Sequence, residues 1–133
     1  MKNALVENST MDNDQDVLLT ISQATAIAKR IRMSPNKVRR VLKLINGCSY
    51  QDALILLEFL PYKACGVIWQ VLRSAVSNAE NTFNVNKQDL RIKEIFVTQG
   101  PTMKRFRPRA QGRAFVIRKP LCHLTVVIEV TPN

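Results

Sequence analysis

Carboxylates are scarce in this sequence and missing from one long stretch. Its 133 residues carry 20 lysines and arginines against 10 aspartates and glutamates, a net charge of +10. From Gly100 to Pro120 there is no acid at all. The acids that exist gather elsewhere: the first sixteen residues hold Lys2 against Glu7, Asp12, Asp14 and Asp16, −3 for the tail and +13 for the rest. Such a balance suits a polyanionic partner, either nucleic acid or an acidic membrane surface. Other shortages narrow the choice. One histidine, His123, stands beside Cys122 in strand-like sequence, and no Ser/His/Asp order or carboxylate pair accompanies it, so catalysis is not expected. The cysteines, Cys48, Cys65 and Cys122, are odd in number and far apart. That disfavours a disulfide framework and a zinc site, and fits a reducing compartment. With four glycines there is no phosphate-cradling loop, and Gly100 and Gly112 read as turn or close-approach positions. No cofactor or metal is expected. No apolar run approaches a membrane span, and Met1 to Asp16 has neither a basic start nor an apolar core, so neither membrane insertion nor a secretory signal is expected.

What is present reads as an acidic tail followed by one domain's worth of chain. Residues 1–18 are polar with few bulky apolar groups and are expected to be disordered; residues 19–133 form the domain. Ile21 to Met33, with partial alternation and β-branched residues, reads as extended. Ser34-Pro35 is a helix start, because serine can cap free amides and proline at the first position has no amide to leave unpaired. Val38, Val41, Leu42 and Ile45 follow at helical spacing until Gly47. Arg39, Arg40 and Lys43 should project from the opposite side. Lys37 falls in the first turn, where the helix dipole favours an acid. A phosphate near Ser34 to Lys37 would relieve that conflict.

A second helix is announced by Ser49 and Asp52, a capping-box-like pair, with Ala53, Leu56, Leu57 and Leu60 as its apolar set before Pro61. The third and longest carries Ala64, Val67, Ile68, Val71, Leu72, Ala75, Val76 and Ala79, a stripe that marks a central buried helix ending in a loop from Asn81 to Asn86. Gly66 and the alanines are expected to allow close packing. The period then changes to two. Leu90, Ile92, Ile95 and Val97 alternate across a phase shift at Lys93-Glu94 that predicts a bulge, and Leu124, Val126, Ile128 and Val130 form the return strand. Pro120 cannot donate to a ladder and should lie on an edge or outside the main sheet. The predicted fold is therefore α+β: about three helices on a small antiparallel sheet, with a long β-hairpin arm within about 90–130. Ten residues each way at about 3.3 Å per residue give an arm of roughly 30 Å.

That arm carries Lys104, Arg105, Arg107, Arg109, Arg113, Arg118 and Lys119, with Phe106 at its far end. A two-stranded ribbon has no core and is marginal in water, so it must borrow order from a partner. Guanidinium groups fork onto phosphate and stack on bases, which points to nucleic acid. An architectural DNA-binding protein with a basic ribbon arm is an alternative.

Ile95-Phe96-Val97, Gly100 to Arg105, Pro108 to Arg113 and Cys122 to Val127 resemble the bacterial-type family of large-ribosomal-subunit proteins numbered twenty-two. So do Ser34 to Arg39, Ser74-Ala75 and Asn78 to Glu80. The likeness runs in order from about Ile21 to Val130. Pro61 to Cys65 and Lys119 to His123 look like the plastid branch, while Gln111 stands where bacterial relatives often carry another basic residue. The resemblance implies a structural constituent of the large subunit, not an enzyme. It would bind large-subunit rRNA through Ser34, Lys37, Arg39, Arg40, Lys43 and the arm's cations, and support assembly beside other large-subunit proteins. The resemblance also places Met103, Lys104, Arg105, Gly112 and Arg113 at or near a tip that lines the exit tunnel and meets the nascent peptide. Neither a membrane partner nor a homo-oligomer is expected. The implied location is the plastid (chloroplast) stroma, with the bacterial cytoplasm as the alternative.

Overall fold

A computed structural model describes residues 23–131, so the acidic tail expected at 1–18 lies outside the described residues. The chain runs β1 (Gln23–Ile31), α1 (Pro35–Ile45), α2 (Tyr50–Phe59), α3 (Ala64–Phe83), β2 (Leu90–Pro108) and β3 (Ala114–Val130), with short 3-10 turns at Lys87–Asp89 and Ala110–Gly112. The three strands form one antiparallel sheet in the order β1-β3-β2. The α+β architecture and the hairpin arm are as the sequence predicts.

Alternation decides which face of the sheet is covered. Ala24 and Ala26 of β1, Leu90, Ile92, Ile95 and Val97 of β2, and Cys122, Leu124, Val126 and Ile128 of β3 are all buried on the helix side. Val38, Val41, Leu42 and Ile45 of α1 and Ile68, Leu72, Ala75, Val76 and Ala79 of α3 meet them in one core. Each fully buried Ile or Leu here contributes about 1.5–3 kcal/mol from area alone. α3 packs against β1, and the small side chains on both let their backbones come close. Gly66 takes no part in this: it is exposed, and a Cβ built there would touch nothing within 4 Å.

Two helix boundaries and one stripe differ from expectation. α3 continues through Asn81, Thr82 and Phe83, and ends at Asn84, whose φ of 52° is the left-handed cap that asparagine tolerates. At the start of α1, Ser34 holds the extended N-cap backbone, yet its side chain makes no cap hydrogen bond. In α2, Ser49 does cap: its Oγ accepts from the Asp52 amide at 3.2 Å and donates to Asp52 Oδ2 at 2.7 Å. Of the apolar set expected to be buried there, only Ala53 and Leu57 are; Tyr50 joins them, while Leu56 is exposed. α2 is apolar nearly all round, so spacing alone did not pick its inner face.

The predicted bulge lies at Lys93, where the ladder shifts between Ile92↔Ile128 and Glu94↔Val127. β3 passes unbroken through the sheet and out into the arm. Pro120 pairs with Thr102 past the end of β1, whose last partner is Cys122, so the proline is outside the three-stranded region as expected.

Candidate nucleic-acid interface

Beyond the pair Gln99↔Cys122 the ladder has two strands only, from Thr102↔Pro120 to Pro108↔Ala114. No residue of this ribbon is buried, and Phe106 is 72% exposed. The burial that stabilises the body is therefore absent here. Lys104 lies directly opposite Arg118, a like-charge pair that opposes the ribbon by some tenths of a kcal/mol. Its internal support is slight: the Arg109 guanidinium lies 5.7 Å from the Phe115 ring centre, and the Arg109 amide donates to the Arg113 carbonyl at 2.7 Å. Gln111 and Gly112 close the turn at φ 59° and 68°, a left-handed pair in which glycine is unstrained.

Two irregularities set where the arm leaves the body. In β1 the register shifts between Ala28 and Ile31, with Arg30 at φ 58°. In β2 it shifts between Gln99 and Thr102, around Gly100-Pro101. His123, on the strand between them, touches both. Its Nδ1 accepts from the Arg30 amide at 2.9 Å, and a Cβ added to Gly100 would fall 3.2 Å from Nε2. The same Cβ would fall 3.1 Å from the Leu121 carbonyl carbon and oxygen, so Gly100 is a close-approach glycine. His123 is a structural tie at the neck.

Beside the neck is a cleft of about 600 Å³ lined by Arg32, Lys37, Arg40, Lys63, Arg105 and Lys119, with Ser34, Tyr62 and Met103 among them. None of these cations has a carboxylate partner among the described residues. The first turns of α1 and α3 contribute Lys37 and Ala64 to it, and neither first turn holds an acid. Two positive helix ends and a ring of cations thus converge on one concavity, where an anion would relieve the repulsion. Arg40 is held by stacking 4.2 Å from the Tyr62 ring centre.

The residues expected to bind separate into groups. Ser34, Lys37, Arg40, Arg105 and Lys119 meet in the cleft. Lys43 is exposed in the last turn of α1, away from it. Arg107, Arg109, Arg113 and Arg118 are exposed on the outer arm, with Gly112 and Arg113 at its end. Met103, Lys104 and Arg105, expected at or near the tip, pair on the shaft with Lys119, Arg118 and Ile117, and Phe106↔Val116, Arg107↔Phe115 and Pro108↔Ala114 stand between them and the turn. The physical reason is pairing geometry, since the hairpin closes symmetrically about the left-handed Gln111-Gly112. Arg39 also differs from the free surface cation expected. It donates to Asn36 Oδ1 at 3.0 Å and to the Val97 carbonyl at 3.3 Å, tying α1 to β2. Burial pushes the Cys122 thiol up, and the Arg39 charge partly opposes this.

Arg32, Tyr62 and Lys63 were missed as site residues because they come from connections that only the fold brings together. One signal was available: Lys63 sits at the N-cap of α3. That is the same conflict with the helix dipole that singled out Lys37.

The family model described as "Ribosomal protein L22p/L17e" matches residues 26–129. The "Large ribosomal subunit protein uL22c" of Phaeodactylum tricornutum is 55% identical over 119 residues, 90% of this chain and 97% of that protein. Its counterpart in Thalassiosira pseudonana is 58% identical over 104 residues, 78% of this chain and 90% of that protein. The "Large ribosomal subunit protein uL22" of the cyanobacterium Microcystis aeruginosa is 58% identical over 109 residues, covering 82% and 92%.

Proposed function

The chain belongs to the ribosomal protein L22p/L17e family, in its plastid-like branch, as a structural large-subunit protein and not an enzyme; from that premise we propose that the neck cleft and arm bind rRNA. The single observation that carries this reading is the cleft, where cations from four separate segments and two helix N-termini face one another without an acid. Arg32, Lys37, Arg40, Lys63, Arg105 and Lys119 would hold one or more phosphates of folded RNA. Ser34 and the amides of the first turn of α1 would donate to the same oxygens. Arg107, Arg109, Arg113 and Arg118 would then track the backbone along the arm, with Phe106 and Phe115 available to stack on bases.

In this reading the body docks by the cleft, and the coreless arm becomes ordered along RNA. The turn at Arg109 to Arg113 lies farthest from the body and would line the nascent-peptide tunnel. The protein works as a single copy in a plastid-type ribosome, in the stroma, beside other large-subunit proteins and supporting assembly. The architectural DNA-binding alternative is set aside, because the family is ribosomal.

The test is the salt dependence of binding to large-subunit rRNA fragments. Each neutralised phosphate contributes about 0.7–0.9 to the slope of log affinity against log salt. Replacing Arg32, Lys37 and Arg40 with glutamine should lower the slope by roughly 2 if each meets one phosphate. An unchanged slope would refute the cleft as an RNA site.

A further inference from the structure

α2 differs from α1 and α3 in carrying no cation. Tyr50–Phe59 holds Asp52 and Glu58 and no lysine, arginine or histidine, in a chain of net charge +10. Its outward side is also the most apolar exposed helical surface: Ile55 is 54% exposed, Leu56 39% and Phe59 80%. At 100° per residue Ile55 and Phe59 project from the side opposite Tyr50, Ala53 and Leu57, which face the core, and Leu56 lies on the flank between the two sides. Neither acid has an ion-pair partner among the described residues.

From this we propose that the outer face of α2 docks a neighbouring protein, specifically a basic segment of another large-subunit protein whose apolar side chains cover Ile55, Leu56 and Phe59 and whose lysines or arginines meet Asp52 and Glu58. Charge argues against the other occupants. RNA would meet two carboxylates and no cation, whereas α1 and α3 offer it cations. A second copy packed through the same face would set Asp52 and Glu58 against their counterparts and bring two strongly positive bodies together. A basic protein segment satisfies the acids and the apolar surface together. Phe59, the most exposed, is the expected anchor, since aromatic residues dominate such contacts. This face and the cleft divide the molecule between a protein neighbour and RNA. The assignment rests on the chain's place in the large subunit, but not on the cleft.

The experiment replaces Phe59 with the photoreactive benzoylphenylalanine in protein incorporated into large subunits, and identifies adducts by mass spectrometry. Co-sedimentation with the subunit tests the proposed function separately. The expected result is an adduct with a lysine- or arginine-rich peptide of one other subunit protein, and its yield should fall by roughly tenfold when Ile55→Glu is added. Adducts with rRNA, with a second copy or with an acidic peptide, or no adduct in protein that co-sediments, would overturn the proposal. A parallel measurement with Ile55→Glu and Phe59→Glu in the free protein should leave rRNA-fragment affinity within about twofold, because the two carboxylates lie outside the RNA surface and are screened. A loss greater than this, in protein that remains folded, would also overturn it.

Discussion

Replacing Gly100 with alanine should tilt the whole arm while leaving the body folded. The added Cβ would stand 3.1 Å from the Leu121 carbonyl carbon and oxygen, inside ordinary contact by several tenths of an ångström. The obstruction is mostly backbone, so the strands themselves must separate. An opening of about 0.4 Å across strands about 4.8 Å apart is a rotation of roughly 5°. Carried along an arm of roughly 30 Å, that moves the turn by about 2.5 Å. The crowding costs about 1–3 kcal/mol, as overpacking does elsewhere, and the melting temperature should fall by several degrees. Nothing in the conformation of Gly100 itself adds strain, because its φ is not positive. The assay is a structure of large subunits reconstituted with the variant, read at Gln111 and Gly112, beside a thermal melt of the free protein. A turn displaced by less than about 1 Å together with an unchanged melt would refute the claim that the neck is closed around this glycine.

Other substitutions separate the roles of neighbouring side chains. Arg39→Gln should cost about 1.5–3 kcal/mol of stability, because its charged hydrogen bonds to Asn36 and Val97 are lost. Arg40→Gln should cost no more than about 1 kcal/mol and lower the salt slope of RNA binding; chemical denaturation and filter binding of both variants would expose a reversal. Deleting Met103 to Arg105 should leave the melt of the body nearly unchanged, since none of the three is buried. It should swap the faces of the β2 residues beyond the deletion, because an odd number is removed, so normal density for the turn in reconstituted subunits would count against it. Iodoacetamide should modify half-buried Cys48 before Cys65 or Cys122. Cys122 should need a higher pH than an ordinary thiol, since burial raises its pKa and reaction requires the thiolate; faster labelling of Cys122 in mass spectra would refute this.

The fold was legible where one periodicity dominated. Val38, Val41, Leu42 and Ile45 left a single choice of inner face, and the alternation of Leu124 to Val130 fixed a strand together with its buried side. It was not legible in α2, where Leu54, Ile55, Leu56 and Leu57 follow one another and spacing cannot choose among them. The end of α3 was misplaced because Asn81 to Phe83 continue the helix on its backbone bonds, with Asn84 as the residue that turns left-handed. As for the candidate site, uncompensated charge found the arm and the start of α1. It did not find Arg32 and Lys63, which lie in connections and gain meaning only when β1, α1 and α3 converge at the neck. Nor did it separate Arg39 from Arg40: adjacent on the helix, one reaches a strand carbonyl and the other the half-buried Tyr62 ring at the cleft.

The unbroken passage of β3 from sheet to turn makes the arm's reach a quantised property. The bulges belong to β1 and β2 alone, so changes of length beyond Thr102 and Pro120 need not disturb the register of the body. One extra residue on each strand would lengthen the arm by about 3.3 Å and exchange its two faces beyond that point, so that Phe106 and Val116 would point where Arg107 and Phe115 point now, and the reverse. Two on each strand would lengthen it by roughly 7 Å and restore the original sides. The ribbon is thus a gauge whose reach can be set in steps of two, while the body that holds it stays the same.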